Sequence, residues 1–188
     1  MTALTLTLEP IFTLNNEQFQ QLCLANPDLK LERTATGELV IMPPTGGETG
    51  RQNSQLNFQI QLWNQQYQFG EVFDSSTGFI LPNGATRSPD VAWIEKSRWQ
   101  ALTPEQREKF LPLCPDFVIE LVSPSDSVQK ARQKMEEYRA NACRLGWLIN
   151  RQDKQVEIYR LNREVESLSL PVMLKGEDVL INFEIQLL

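Results

Sequence analysis

Apolar and polar positions change period several times along this chain, and each change marks an element. Asn15 or Asn16 caps a short helix through Glu17, Phe19, Leu22 and Cys23, which Pro27 follows. Leu29 to Glu32 and Glu38 to Met42 form a hairpin around Thr34 to Gly37. Beyond the Pro43 to Gly47 loop, Leu56, Ile60 and Trp63 recur at helical spacing on one face of a Gln/Asn-rich helix from about Glu48 to Gln66. Glu71 to Asp74, Gly78 to Leu81 and Asp90 to Ile94 then read as strands of an antiparallel meander, punctuated by Gly70, Pro82 to Gly84 and Pro89. Ser97 to Leu102 and Thr103 to Phe110 read as helices, the second with Pro104 in its first turn.

Asp116 to Val122 is the most strand-like run, and an unbroken apolar stretch of that length fits a central strand buried on both faces. Ser123 to Ser127 is a capping turn into a helix from about Val128 to Asn141, with Ala131, Met135, Tyr138 and Ala142 as its core stripe. Leu145 to Ile149 is a second buried strand, and Val156 to Tyr159 pairs with it. The strand, helix, strand order from 116 to 149 predicts a right-handed crossover with parallel strands. Residues 164–188 read as short edge strands, and the length of 188 residues suits one mixed α/β domain over 1–188.

Composition narrows the chemistry by an absence. The chain has no histidine, which removes Ser-His-Asp and Cys-His catalysis and histidine zinc sites together. Chemistry must therefore run on carboxylates and lysines. Three widely separated cysteines, Cys23, Cys114 and Cys143, suggest free, mostly buried thiols. No stretch approaches the roughly 18 apolar residues of a membrane helix, and Met1 to Pro10 lacks signal-peptide character, so a cytoplasmic protein without membrane contact is expected. The net charge of −6 argues against a general nucleic-acid coat protein. Residues 130–163 nevertheless hold nine Lys/Arg against four acids, a local bias suited to a polyanion.

Glu120 stands in the middle of the most apolar run, and Asp90 stands at the head of another. A buried charge needs a partner, and hydrolysis of a phosphodiester is served by Mg²⁺ held on two carboxylates. On this reading the two acids lie on adjacent strands with carboxylates about 3 to 6 Å apart, and their mutual repulsion raises at least one pKa. Position 122, two residues on and on the same face, is Val and not lysine. Lys130 and Lys134, one turn apart on the next helix, stand in its place, and Glu48 is a further candidate for the metal's outer shell. The plain structural alternatives are an Asp90 that accepts backbone hydrogen bonds and a Glu120 paired with Lys134 or an arginine.

Pro89-Asp90, Ile119-Glu120-Leu121-Val122-Ser123-Pro124-Ser125, Lys134-Met135-Glu136-Glu137-Tyr138 and Gly146-Trp147-Leu148-Ile149 together resemble the Uma-type family of restriction endonucleases, a branch of the PD-(D/E)xK nuclease superfamily. The resemblance spans nearly the whole chain. It implies a restriction-endonuclease-like fold with a central mixed sheet flanked by helices, a Mg²⁺ or Mn²⁺ site on Asp90 and Glu120, and Lys134 in the place of the superfamily's strand lysine. A histidine expected near the start of the long helix has no counterpart among residues 48–53.

Two functions follow. One is a Mg²⁺-dependent DNA endonuclease with Asp90, Glu120 and Lys134 as its catalytic residues. The other is a non-catalytic binding or regulatory module that keeps the fold, with Glu120 merely salt-bridged. Nucleases of this fold act on two DNA strands, so a homodimer is expected, with an exposed Trp63 or the C-terminal strands as interface.

Overall fold

The apolar run at 117–121 becomes a strand walled on both faces, and the other elements are arranged about it. The computed structural model describes residues 3–9, 11–124 and 126–188. Ser125 of the expected capping turn, and Met1, Thr2 and Pro10 of the segment judged against a signal peptide, lie outside the described residues.

In chain order the first half comprises β1 (Leu4–Leu6), α1 (Asn16–Ala25), β2 (Lys30–Arg33), β3 (Leu39–Met42), α2 (Gly47–Tyr67), β4 (Gly70–Asp74), β5 (Phe79–Ile80) and β6 (Thr86–Arg87). The second half comprises β7 (Val91–Glu95), α3 (Lys96–Ala101), α4 (Pro104–Arg107), β8 (Phe117–Leu121), α5 (Val128–Ala140), β9 (Leu145–Asn150), β10 (Gln155–Arg160), β11 (Glu166–Ser169), β12 (Val172–Lys175) and β13 (Glu184–Leu187). Asn15 caps α1 through a reciprocal bond with Gln18, and Thr103 caps α4 in the same way with Gln106.

Six strands form the main sheet in the order β11-β10-β9-β8-β7-β4. Its β8 and β9 are parallel and joined through α5, while β7 pairs antiparallel with β8. Alternation divides the side chains of the sheet between two cores. Val91, Trp93, Phe117, Ile119 and Leu121 pack against Leu56, Ile60 and Trp63 of α2, whereas Ala92, Ile94, Val118 and Leu148 pack against Met135 and Tyr138 of α5. Gly146 on β9 lets α5 come close, since a Cβ there would lie 2.5 Å from Met135 Cε. Glu120 shares the even-numbered face and therefore looks toward α5.

A second sheet of five strands, in the order β1-β3-β2-β6-β5, carries the hairpin near the N-terminus, with Phe19 of α1 packed on its Leu31 and Leu39. Here the expected meander is corrected. β4 pairs directly with β7, while β5 leaves to pair with β6 in the five-stranded sheet. β6 is two residues long and β1 three, too short for a period-2 pattern to show in the sequence. The helix expected over 103–110 closes after Arg107. At the C-terminal end, β11 does edge the main sheet, whereas β12 and β13 form a hairpin of their own.

Trp63 is not an exposed association surface. It is 6% exposed, packs edge-on against Trp93 and Phe183, and its Nε1 donates to the Ile181 carbonyl at 2.9 Å. The C-terminal segment covers it, which a reading of the helix by itself does not reveal. Among the described residues no helix is long and apolar enough to cross a membrane.

Candidate active site

The antiparallel register of β7 and β8 pairs Val91 with Ile119, Ala92 with Val118 and Trp93 with Phe117. Asp90 immediately precedes Val91 and Glu120 immediately follows Ile119, so the two acids flank the same end of this ladder, close enough for the Asp90 charge to act on the Glu120 carboxyl. The two acids named from the sequence therefore share one place. Their surroundings differ.

Asp90 is held by neutral donors. Asn53 Nδ2, from α2, donates to its Oδ1 at 2.8 Å, and the Leu121 N–H donates to its Oδ2 at 2.8 Å. The backbone hydrogen bond foreseen as the plain alternative is thus present, together with a side-chain bond from the opposite helix. Asn53 Oδ1 is buried and has no hydrogen-bond partner among the described residues, which leaves an acceptor beside the Asp90 carboxylate.

Glu120 is held by charge. Lys134 Nζ lies 2.8 Å from its Oε1, and the Tyr138 hydroxyl donates to the same oxygen at 3.0 Å. Its Oε2 accepts no bond among the described residues. Burial pushes the Glu120 carboxyl up to about 7; Lys134 opposes that rise, and Asp90 and Glu32 add to it. Repulsion from Asp90 therefore contributes, but desolvation is the larger cause. Tyr138 is driven well above the phenol range, first by burial and then by Glu120, so it remains a neutral donor.

Lys134 connects this pair to a residue that sequence reasoning missed. Its Nζ donates to Glu32 Oε1 at 2.8 Å and lies 3.5 Å from the Ser88 carbonyl. Burial would lower the lysine, but Glu120 and Glu32 outweigh it and hold the ammonium above its ordinary range. Glu32, on β2, also accepts from the Ser88 N–H at 3.0 Å and from Arg87 Nη1 at 3.2 Å. Burial raises its carboxyl, yet Lys134 and Arg87 prevail and bring it down to about 2. Arg87 continues to Glu137 at 2.5 Å. The seam between the two sheets is thus closed by three carboxylates, Glu32, Glu120 and Glu137, around two cations, Lys134 and Arg87, with Asp90 beside Glu120.

The remaining expectations divide. Glu48 lies in the exposed first turn of α2, bonded to Arg51 and Gln52, and no contact among the described residues ties it to Asp90 or Glu120. Lys130 is exposed and Lys134 half-buried, so of the two lysines only Lys134 joins the site. The basic run is largely internal wiring: Arg132 pairs with Glu157, Arg139 with Glu136, Arg144 with Glu95, and Arg160 with Glu166 and Glu177. Each cation neutralised in this way has less to offer a polyanion.

The model of the Uma2 family, described as "Putative restriction endonuclease", matches residues 16–187. The chain belongs to the Uma2 family. A crystal structure described as that of a putative nuclease belonging to DUF820, from Anabaena variabilis ATCC 29413, matches with a TM-score of 0.78 at 19% identity, over 92% of this chain and 94% of that one. At that identity the likeness speaks for the fold alone. No curated protein matches the chain.

Within this Uma2-family chain, the signal that could have found Glu32 was faint. Glu32 and Arg33 stand side by side in a short strand, and both are buried, at 2% and 6% exposure. Two charges on opposite faces of an apolar hairpin imply that both faces are covered. The Asp90 and Glu120 oxygens are hard donors suited to Mg²⁺, and the buried acceptor of Asn53 is placed for water carried by such an ion. Among the described residues no group of three or more His, Cys, Asp or Glu stands at metal-ligating spacing, so the protein supplies two carboxylates at most. That number suits Mg²⁺, which keeps most of its waters.

Proposed function

We propose that this protein is a Mg²⁺- or Mn²⁺-dependent nuclease that cuts DNA, with Asp90 and Glu120 as the metal ligands and Lys134 as the cation acting on the scissile phosphate. The observation that carries the reading is the placement of Glu120 inside β8, at the end of the β7–β8 ladder that Asp90 also flanks and 2.8 Å from Lys134. The excess of carboxylates over cations at the seam favours a divalent ion. When bound, such an ion supplies charge neutralisation and an acidified water.

The chain's own residues do the rest. Asn53 and the Leu121 N–H fix Asp90 in one orientation, so this ligand is pre-positioned. Glu32 and Glu120 keep Lys134 protonated, and Glu32 still holds the ammonium when Glu120 turns to another partner. An ammonium so held can offset charge developing on a phosphate oxygen. Tyr138 fixes Glu120 from the α5 side.

The closed Glu120–Lys134–Glu32 network favours a second reading, a non-catalytic module in which these ion pairs are purely structural. Titration calorimetry with Mn²⁺, together with incubation of a mixed DNA pool, separates the two. The nuclease reading expects wild type to bind the ion and cut, and Glu120→Gln to do neither. A wild type that binds no divalent ion and cuts nothing, alongside a more stable Glu120→Gln variant, would establish the structural module. We further propose a homodimer, which light scattering tests against the 21.6 kDa chain mass.

A further inference from the structure

A groove of about 490 Å³ opens between the first half of α2 and β13, floored by the ends of β8 and β9. Its composition is unusual. Gln52, Gln55 and Gln59 stand on one side and Gln186 on the other, over an apolar floor that includes Leu56 and Ile149. Arg51 and Arg151 also line it.

Two contacts join the groove to Asp90, one of the two proposed catalytic acids. Leu121 lines it, and the N–H of that residue is the one that holds Asp90. Asn53, next to Gln52 on α2, holds the other Asp90 oxygen. A chain lying in the groove therefore passes, on the α2 face of the sheet, beside Leu121 and the Asp90 carboxylate that its N–H holds.

We infer that this groove binds an unpaired stretch of the DNA strand being cut, one to a few nucleotides long, and reads its base edges through the glutamine amides. The inference rests on the nuclease reading and names its substrate form. The volume falls in the range of small-molecule sites, too little for a double helix and enough for a few nucleotides. Amides that both donate and accept match the Watson–Crick edges that only an unpaired base exposes. Arginines serve phosphate, and the apolar floor takes the base faces. Among the described residues no aromatic ring lines the groove, so the stacking that makes single-strand binders indifferent to sequence is lacking, and a base preference is expected. Among the described side chains of the lining Glu184 is the one acid, and it is tied to Lys175 at 3.0 Å, while Arg51 is tied to Glu48 at 2.7 Å. Arg151 is then the principal phosphate contact.

The test is fluorescence anisotropy of the wild-type protein in chelator, with labelled ten-nucleotide single strands of differing composition and a matched duplex. Single strands should bind at least tenfold more tightly than duplex, with affinity varying among sequences. The Gln55→Ala/Gln59→Ala double variant should weaken single-strand binding about tenfold and flatten that variation. Gln55 is exposed and Gln59 half-buried, and neither belongs to the core, so thermal melting should stay close to wild type. Arg151→Ala should weaken all sequences alike and lower the salt dependence by about one counterion. Equal or tighter binding of duplex, or single-strand binding indifferent to the glutamine variant, overturns the inference. Duplex cleavage at full rate by the glutamine variant overturns it too while leaving the nuclease reading intact. Glutamine-dependent single-strand binding without cleavage of any DNA supports the groove and overturns the nuclease reading instead.

Discussion

The two helices that flank the main sheet hold Asp90 and Glu120 by different physics. From the α2 side, Asp90 is fixed by an amide and a backbone N–H, which keep their character at any pH. From the α5 side, Glu120 is fixed by an ammonium that is shared with a second carboxylate. A ligand held by neutral donors is ready before the metal arrives, whereas a ligand held by a cation must trade one positive partner for another. Exchange therefore belongs to the Glu120 side, and the consequences of mutation should differ accordingly.

The largest effect expected is on the charged side. Lys134→Met strands Glu120 and leaves Glu32 with Arg87 and the Ser88 N–H, and removing one partner of a buried ion pair costs about 3–5 kcal/mol. Urea unfolding in chelator at pH 8 should show a loss of that size. The same variant should bind Mn²⁺ more tightly than wild type while cutting at least a hundredfold more slowly, since the ion no longer competes with the ammonium for Glu120. Weaker Mn²⁺ binding by Lys134→Met, measured calorimetrically, would mean that the lysine organises the ligands and does not compete with the ion.

Glu32→Gln then sharpens the contrast. With Glu32 gone, Lys134 has only Glu120 to lean on, so Mn²⁺ affinity should fall although Glu32 touches no metal. Adding Lys134→Met to that variant should restore the affinity. A double variant as weak as Glu32→Gln alone would make Glu32 a ligand in its own right.

How much of this was readable beforehand depended on distance along the chain. β8, α5, β9 and β10 form a contiguous stretch whose apolar runs and helical stripe announce themselves, and Lys134, on the helix that follows β8, is legible beside an arginine as a partner of Glu120. Glu32 is 102 residues from Lys134 and belongs to a sheet whose strands β5 and β6 are two residues each. A polar residue in a hairpin reads as solvent-facing unless the element that covers it is known. Trp63 could be read from the helix as core or as an association surface, and the structure decides for the core because its cover comes from Phe183 and Ile181, far along the chain. The basic excess at 130–163 says less than its count, because several of its cations meet acids, Arg132 with Glu157 and Arg160 with Glu166 and Glu177 among them, while Arg151 stays in the groove lining.

The next effect is one of pH. The folded Glu120 carboxyl lies at about 7, above the ordinary 4.5, so its contribution to stability is full below pH 4.5 and is lost as pH rises through 7. Gln at 120 does not titrate. In chelator, the stability of Glu120→Gln relative to wild type should therefore rise between pH 4.5 and 8 by on the order of 2–3 kcal/mol. Glu32, brought down to about 2, works the opposite way, its contribution being present above 4.5 and lost as pH falls toward 2; between pH 4.5 and 8 it adds little slope in either protein. A difference between the two proteins that does not change with pH would remove the ionic account of the α5 side.

The smallest effect belongs to the neutral side and is the control for the rest. Asn53→Ala removes one hydrogen bond to a carboxylate, worth about 1–2 kcal/mol, and leaves the Leu121 N–H on the other oxygen. Because the lost donor is uncharged, the deficit in chelator should be nearly constant from pH 4.5 to 8, where Glu120→Gln changes most. Mn²⁺ affinity should fall a few-fold, since Asp90 loses its fixed orientation and the buried acceptor beside it disappears, yet the Lys134→Met gain should persist in the double variant. Independent sites add in this way, while members of one network do not. Measured melting curves for the single and double variants that fail to add would join Asp90 to the charged network and dissolve the distinction between the two sides of the sheet.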